Sequence, residues 1–172
     1  NKKDSPTIFK KRFVDYISNN KILGVYNIND DPLNPVDEKK FNNYLKKNLK
    51  KYDLVVVSDY GHGFISLKSA KIISENSKYL AVNAQINAAN IGYHSMKKYK
   101  KINCMVVNEK EVRHELRDRT NDLKILMKRL AREQKIKTVI ATKGQNGSIM
   151  YNLKENSFVQ SDAFAKKVVD KI

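Results

Sequence analysis

Between residues 36 and 142, segments with helical spacing alternate with short runs that are apolar throughout, and this alternation restricts the fold more than any other feature. Apolar residues three or four positions apart mark the buried side of a helix. Short continuous apolar runs are typical of strands buried in a parallel sheet, joined by right-handed helical crossovers. The predicted helices are 36–52, 66–76, 87–100, 109–117 and 122–134, and the predicted strands are 54–57, 79–82, 104–107 and 138–142, followed by 147–152, 155–160 and 166–170. The sequence therefore predicts an α/β fold, a layered sheet of mainly parallel strands with helices on both faces.

A β-hairpin is predicted before this core. Two strand-like runs, 7–17 and 21–29, flank the turn Ser18-Asn19-Asn20. Polar residues of this kind between two alternating runs are typical of hairpin turns. Because the hairpin is amphipathic and peripheral, we expect it to project as a separate small element from an α/β core over 36–172.

Polar or small residues follow each predicted core strand. They are residues 58–63, 83–85, 108–111 and 142–144. Ligands of open α/β sheets bind at the carboxyl ends of the strands, so these residues are expected to converge on one site. Four of the six glycines lie in two of these loops, at 61, 63, 144 and 147, where backbone turns or close ligand approach need glycine.

Two of these loops have both a structural and a functional interpretation. The loop 142–147 could hold a nucleotide phosphate or ribose near Lys143, or it could be a type I′ turn at Asn146-Gly147, and it is not a P-loop. Asn108 and Glu111 could form a capping box at the start of a helix, or Glu111 could order a water bound to Mg²⁺.

The histidines and the cysteine carry weaker signals. None of the three histidines is spaced as a metal ligand pair, and His94 and His114 are predicted as ordinary residues on helices. His62 lies in a strand-end loop and is the one histidine of interest. Cys104 begins an apolar strand and is expected to be a small buried hydrophobe.

Composition limits the class of protein. The chain of 172 residues has 34 lysines and arginines against 18 acidic residues, a formal net charge of +16. This charge suits a phosphate binder, but lysine spread along helix faces favours a solvated surface, so nucleic acid is not the expected partner. The chain is too short for two full-sized domains, its lone cysteine closes no disulfide, and neither a membrane span nor a signal peptide is visible, so a reducing cytoplasm is expected.

Five short motifs occur in order along the chain. They are Thr-Ile-x-Lys-x-Arg at 7–12, Ser-Asp-Tyr-Gly-x-Gly at 58–63, Asn-x-x-Glu at 108–111, Thr-Lys-Gly-x-x-Gly at 142–147 and Val-Val-Asp at 168–170. Their order and placement resemble the PfkB (ribokinase-like) carbohydrate kinases, most of all the kinase domain of bifunctional heptose-phosphate kinase/nucleotidyltransferase proteins. The resemblance covers essentially the whole chain but only the middle of the family's domain, so 1–172 is expected to be a fragment of a larger domain.

The resemblance implies a role for each motif. ATP and Mg²⁺ are the implied cofactors, and Glu111 is the implied metal residue. The implied cofactor-binding residues are Asn108, Glu111, Thr142, Lys143, Gly144, Gly147 and Asp170. The implied substrate-binding residues are Lys10, Arg12, Asp59 and His62. The hairpin 7–29 would serve as a lid over the sugar and as a homodimer contact, and a fused nucleotidyltransferase domain is a further implied partner.

The chain also departs from the family. The N-terminal sugar-binding region is missing, and the catalytic aspartate is expected just beyond Ile172, so this chain alone is expected to have negligible kinase activity. Asn83-Ala84-Gln85 replaces a usual Asp-Pro-Lys, His62 replaces a common lysine, and Leu23–Tyr26 lacks the arginine and aspartate of heptose kinases.

Three functions remain open from the sequence. The first is a fragment of a sugar or sugar-phosphate kinase, and the second is an inactive kinase-like scaffold. The third is nucleic-acid binding through the positive charge.

Overall fold

The computed structural model describes residue 2 and residues 5–86 and 94–164. In this part of the chain the strands are β1 (Phe9–Val14), β2 (Lys21–Asn27), β3 (Val55–Asp59), β4 (Leu80–Ala84), β5 (Cys104–Asn108), β6 (Thr138–Thr142), β7 (Ser148–Asn152) and β8 (Ser157–Ser161). The α-helices are α1 (Pro35–Asn48), α2 (Leu67–Asn76), α3 (Glu109–Leu116) and α4 (Leu123–Gln134). Short 3₁₀ turns occupy Leu49–Lys51, Met96–Lys98 and Gly144–Asn146.

The core is one six-stranded sheet with the strand order β3-β4-β5-β6-β7-β8. The first four of these strands run parallel, and β7 and β8 continue the sheet as antiparallel strands. This arrangement confirms the predicted mainly parallel α/β sheet. Because β3 to β6 follow one another in one direction, right-handed crossovers place the connecting helices on the same side.

Alternate residues of the strands differ in burial, which shows which face the helices cover. One face carries fully buried side chains, namely Val57, Leu80, Val82, Met105, Val107, Val139, Ala141, Ile149 and Tyr151. The other face, which carries Val106, Ile140 and Met150, is only partly buried, and Val56 on the edge strand is 67% exposed. Helices were expected on both faces, and the described helices cover one of them.

Local sequence signals explain where the helices begin and end. The Asn34 side chain accepts a hydrogen bond from the Asp37 amide at 2.9 Å, and Pro35 occupies the first turn of α1. Ser66 caps α2 in the same way through the Ser69 amide. α4 ends at Lys135, which adopts the left-handed conformation common after helices.

The hairpin forms a two-stranded sheet of its own, as predicted. Its strands are shorter than the predicted runs 7–17 and 21–29, because Asp15 accepts from the Ser18 amide at 2.7 Å and bends the chain early. Cross-strand register gives it two different faces. One face carries Phe9, Phe13, Leu23 and Val25 together with Lys11, and the other carries Lys10, Arg12 and Tyr26.

Part of the predicted helix 87–100 is corrected by the structure. Residues 87–93 lie outside the described residues, and residues 94 and 95 are not helical. The Ser95 hydroxyl caps only a 3₁₀ turn, by accepting from the Lys97 amide, and the segment then extends. The predicted strand 166–170 lies outside the described residues.

Two further observations complete the description. Cys104 is half-buried and its thiol is free, and burial raises the pKa of that thiol. Across the residues that the structure describes, no helix combines the length and the apolar character needed to cross a membrane.

Candidate functional site

The carboxyl ends of the four parallel strands bring the predicted site segments to one edge of the sheet. Asp59 at the end of β3 pairs in register with Ala84 of β4, and Asn108 of β5 pairs with Thr142 of β6. The loops that follow these strands therefore lie side by side, as predicted from the sequence.

Asp59 is the most tightly held side chain at this edge. It is 4% exposed, and its carboxylate accepts from the Tyr99 hydroxyl at 2.6 Å, from Lys98 Nζ at 2.6 Å and from the Gly61 amide at 2.9 Å. Burial alone would raise the pKa of Asp59, but the hydrogen bonds from Lys98, Tyr99 and Gly61 outweigh it and hold the pKa below its usual value. Burial and the bond to Asp59 raise the pKa of Tyr99, which stays a neutral donor.

The loop after β3 is held from two sides. Lys98 Nζ also donates to the carbonyl of Ile65 at 2.9 Å, on the core side. On the hairpin side, His62 Nδ1 lies 2.7 Å from Asp30 Oδ1. Gly63 adopts φ +73°, and a Cβ there would lie 2.2 Å from the Asp30 carbonyl oxygen, so only glycine permits this approach. The loop thus joins the base of the hairpin to the core.

A cavity of about 440 Å³ opens beside this loop. Its lining includes Gly61, Gly63, Ile65, His94, Ser95 and Lys98. The His94 side chain is 4% exposed, and its Nε2 lies 4.0 Å from Asp59 without a hydrogen-bond partner. Burial lowers the pKa of His94 even though Asp59 opposes this change. His94 is therefore a buried neutral residue in a non-helical segment, and its prediction as an ordinary helical residue is wrong.

Asn108 and Glu111 form the capping box at the start of α3. The Asn108 side chain accepts from the Glu111 amide at 2.9 Å, and Glu111 Oε2 accepts from the Asn108 amide at 2.7 Å. Glu111 Oε1 also accepts from the Ile86 amide at 3.1 Å, which ties the end of β4 to α3. Glu111 is 3% exposed, and burial raises its pKa although these two amides oppose the change.

The β6–β7 connection is a compact loop rather than a type I′ turn. The Lys143 amide donates to the Gly147 carbonyl at 2.8 Å, and a 3₁₀ turn spans the residues between them. Asn146 does not adopt the positive φ that a type I′ turn needs. Gly147 adopts φ +74° and ψ −135°, and a Cβ there would lie 2.0 Å from the Ser161 carbonyl oxygen. Lys143 is half-buried and Thr142 is exposed beside it.

The remaining predicted site residues make no described contact with the residues at this edge of the sheet. Lys10 lies in β1 with its Nζ 4.9 Å from the centre of the Tyr26 ring, and Arg12 has a buried Nε without a partner. Asp170 lies outside the described residues. In residues 5–86 and 94–164, no cluster of three or more His, Cys, Asp or Glu side chains has the arrangement of a metal site.

Comparisons with known proteins identify the fold. No family model and no curated protein sequence matches the chain. Among solved structures, ribokinase from Giardia lamblia matches with a TM-score of 0.70 and 18% identity, over 96% of this chain and 50% of that one. Arabidopsis thaliana ribokinase, complexed with ribose and ATP, matches with a TM-score of 0.65 and 14% identity, over 97% of this chain and 52% of that one. The chain has the ribokinase-like fold. Phosphofructokinase-2 from Escherichia coli, in complex with potassium, shares this fold with a TM-score of 0.63 and 12% identity, over 84% of this chain and 47% of that one.

The chain spans about half the length of these ribokinase-like structures. The fold agrees with the mainly parallel sheet that the strand pattern predicts.

Sequence reasoning missed the buried cluster at this edge. Lys98, Tyr99 and His94 lie in a segment predicted as a helix, and nothing in its Lys-rich sequence marked Tyr99 as a partner of Asp59. One signal was present: Asp59 lies two positions after Val57, on the same side of the strand, so a buried charge there needed a partner from another segment.

Proposed function

We propose that this chain is part of a carbohydrate kinase that transfers the γ-phosphate of ATP to a hydroxyl of a sugar or sugar phosphate. One observation supports this most strongly. The chain matches ribokinase-like structures over nearly its whole length, and its polar strand-end loops lie together at the edge where α/β proteins bind ligands. Heptose phosphate is the first substrate to assay, because the motif order resembles the heptose-phosphate kinases.

The β6–β7 loop is the proposed nucleotide side of the site. Two of its residues, the positive-φ glycines Gly144 and Gly147, carry no side chain, and Lys143 supplies a cation next to Thr142. A compact glycine loop with one lysine suits the ribose and phosphates of ATP. Asp170 is proposed as a further cofactor-binding residue from the motif alone.

Mg²⁺ is the proposed metal, near Glu111 and Asn108. Each Glu111 oxygen accepts one backbone amide, and a carboxylate has about four lone-pair positions, so each oxygen keeps acceptor capacity. Because the side chain is 3% exposed, it fits a role in holding a metal-bound water rather than the ion itself. When bound, the metal would neutralise phosphate charge.

The hairpin is the proposed lid. Lys10 and Arg12 share its polar face, which suits contact with a sugar or sugar phosphate, and Asp59 and His62 anchor the loop at its base. On the other face, Phe9, Phe13, Leu23 and Val25 have exposed fractions between 42% and 54%, so this face is largely apolar around the single Lys11. A two-stranded hairpin is marginal alone, so this face suits a homodimer contact.

The rest of such a kinase would include a sugar-binding part before this chain and a catalytic aspartate after it. The partly buried second face of the sheet and the open edge of β3 suit packing against further parts of a larger domain. A fused nucleotidyltransferase remains a proposal from the motif resemblance alone.

Titration of the 172-residue chain with a fluorescent ATP analogue tests whether the β6–β7 loop binds the nucleotide. Binding is expected in the presence of Mg²⁺, and Lys143→Gln should weaken it about tenfold, by removing one phosphate contact. Lys154→Gln, a matched change at the opposite edge, should leave it unchanged. Absence of binding, or equal effects of both variants, would contradict the proposal.

A phosphorylation assay tests the chemistry. We expect negligible turnover of ATP and heptose phosphate by this chain, and turnover by a longer form that includes the catalytic aspartate expected after Ile172. Clear turnover by the chain alone would contradict the expected position of the catalytic aspartate. A longer form that binds ATP without turnover of any sugar would favour the inactive scaffold.

A further inference from the structure

The lysines next to the four parallel strands are concentrated at one edge of the sheet. The segments before the four parallel strands, 50–54, 77–79, 100–103 and 135–137, contain seven lysines and one acidic residue, a net charge of +6. The segments after the same strands, 60–63, 85–86, 109–111 and 143–147, contain two lysines and two glutamates, a net charge of zero. Parallel strands begin at one edge and end at the other, so the positive charge is concentrated opposite the proposed kinase site.

We name this surface the basic edge. It comprises Lys50, Lys51, Lys78, Lys100, Lys101, Lys135, Lys137 and Lys154, all of them exposed. Lys154 belongs to it because the adjacent Leu153 amide donates to the Lys137 carbonyl at 2.9 Å.

Two adjoining grooves run along the basic edge. The larger, of about 770 Å³, is lined by five of its lysines: Lys78, Lys100, Lys101, Lys135 and Lys137. The smaller, of about 430 Å³, is lined by Lys137, Lys154 and Tyr79. Because Lys137 lines both, the grooves form one concave basic track.

Most of the charge in the larger groove is free. Its two acidic residues are held by cations that do not line it: Glu75 lies 3.9 Å from Lys71, and Glu133 lies 2.8 Å from Arg129. Lys78 pairs with Asp53 at 2.8 Å. Within the described part of the chain, the other four lysines of the groove form no ion pair; these are Lys100, Lys101, Lys135 and Lys137.

Helix dipoles explain only part of this cluster. Cations are favourable at helix C-termini, which accounts for Lys50 and Lys51 after α1, Lys78 after α2 and Lys135 after α4. Lys100 and Lys101 instead precede β5, Lys137 precedes β6, and Lys154 lies in the β7–β8 turn. These four lysines cap no α-helix, so another role explains them better.

Polar and aromatic groups accompany the lysines. Gln134 lines the larger groove, and both of its amide atoms are buried without a hydrogen-bond partner in the described structure. Tyr79 lines the smaller groove and is 41% exposed. Buried amides usually have partners, and exposed aromatic rings beside a basic groove are typical of surfaces that bind single-stranded nucleic acid.

We propose that the basic edge binds the phosphodiester backbone of single-stranded nucleic acid without sequence preference, with Tyr79 stacking on a base. Lysine is a point charge that binds phosphate without the bidentate geometry that arginine uses to read guanine. A concave track suits a strand better than a flat membrane surface. The proposal is independent of the kinase function, because the two sites lie at opposite edges of the sheet.

The test uses fluorescence anisotropy with a labelled oligo(dT) of about 20 nucleotides, from about 50 to about 200 mM NaCl. The variant Lys100→Gln/Lys101→Gln/Lys135→Gln/Lys137→Gln removes the four free charges. Each phosphate contact on a single strand contributes about −0.7 to the slope of log K against log salt, so the slope should become shallower by about three. Affinity at about 100 mM salt should fall at least tenfold.

A matched variant removes the same charge elsewhere. Lys39, Lys40, Lys68 and Lys110 are exposed lysines in the first two turns of α1, α2 and α3, away from the basic edge, and their change to Gln should leave the slope within about one unit of the wild type. Tyr79→Leu should weaken binding about tenfold without changing the slope, since stacking involves no counterion release. Circular dichroism and thermal melting confirm that each variant is folded.

Three outcomes would overturn the proposal. The first is equal loss of binding in the two four-lysine variants, which would mean that net charge alone binds. The second is tighter binding of poly-glutamate than of oligo(dT), which would assign the edge to acidic proteins. The third is sedimentation with phosphatidylserine vesicles in the absence of oligonucleotide binding, which would assign it to a membrane.

Discussion

At the scale of single residues, Asp59 can be buried in its charged form because three hydrogen-bond donors contact its carboxylate. Removal of one member of a buried ion pair leaves the other without a partner, which costs about 3–5 kcal/mol. We expect Asp59→Asn to lower the free energy of unfolding by this amount, measured by urea denaturation, because Lys98 would stay buried without a counterion. Asp53→Asn is the control, because its ion pair with Lys78 is exposed and the change should not alter stability measurably. Equal effects of the two changes would contradict the account of Asp59.

The pKa values of the two buried carboxylates of the site should be shifted in opposite directions. The pKa of Asp59 is lowered, so its contribution to stability is present above its unfolded pKa of about 3.9 and is lost as the pH falls through its folded pKa. The pKa of Glu111 is raised by burial, so its contribution increases as the pH falls through its folded pKa towards its unfolded pKa of about 4.3. NMR titration of the side-chain carboxyl carbons should place the midpoint of Asp59 below that of an exposed aspartate and the midpoint of Glu111 above that of an exposed glutamate. An Asp59 midpoint above that of an exposed aspartate would contradict the effect of its three hydrogen bonds, and a Glu111 midpoint below that of an exposed glutamate would contradict the effect of its burial.

Two glycines of one loop make a matched pair. A Cβ at Gly147 would meet the Ser161 carbonyl oxygen at 2.0 Å, whereas a Cβ at Gly144 would meet nothing within 4 Å. Both have positive φ, so each change to alanine costs about 1 kcal/mol of backbone strain. Gly147→Ala should cost about 2 kcal/mol more, because the loop must move away from β8. Thermal unfolding of both variants checks this, and similar melting temperatures would show that the loop adapts freely.

At the scale of secondary-structure elements, the hairpin exposes a largely apolar face, which would be more stable when covered by a second copy of the chain. We expect Phe13→Lys to shift the chain from dimer to monomer in size-exclusion chromatography with light scattering, because Phe13 and Leu23 are directly paired across this face. Tyr16→Lys is the control, since Tyr16 is 96% exposed in the turn beyond the face. A wild-type chain that is monomeric at high concentration, or a Phe13→Lys variant that stays dimeric, would contradict a dimer contact through the hairpin.

The core elements were predictable because each carries a local signal. Short continuous apolar runs such as Leu54–Val57 are typical of strands, although only Val57 of this run is buried because β3 lies at the edge of the described sheet. The Asn108 cap marks the start of α3 in the sequence itself. The segment 94–99 was not predictable in this way. Its conformation depends on Asp59, which lies more than thirty positions earlier and draws Lys98 and Tyr99 towards the core. Long-range hydrogen bonds of this kind override the helical spacing of a short segment.

At the scale of the whole molecule, the position of the charge matters as much as its total. The chain has a net charge of +16, and the strand order gathers the free lysines at one edge, whereas the described segments that directly follow the parallel strands have no net charge. The even spread of lysine along the sequence favoured a solvated surface, although parallel strands also begin at a common edge, so the lysines that precede them could have been grouped from the strand pattern. The candidate kinase loops were found from the sequence for the complementary reason, since every parallel strand ends at the same edge.

The same charge predicts how stability depends on salt. Like charges gathered at one edge repel one another in the folded protein and separate on unfolding, so screening should stabilise the fold. A rise from about 10 to about 100 mM NaCl shortens the screening length from about 30 Å to about 10 Å, and the melting temperature should rise by a few degrees. Choline chloride at equal ionic strength should give the same rise, because screening does not depend on the identity of the cation. The four-lysine variant of the basic edge should melt at a higher temperature than the wild type in low salt and respond less to added salt. A melting temperature that is flat or falls with salt would mean that the lysines are already neutralised by partners within the fold.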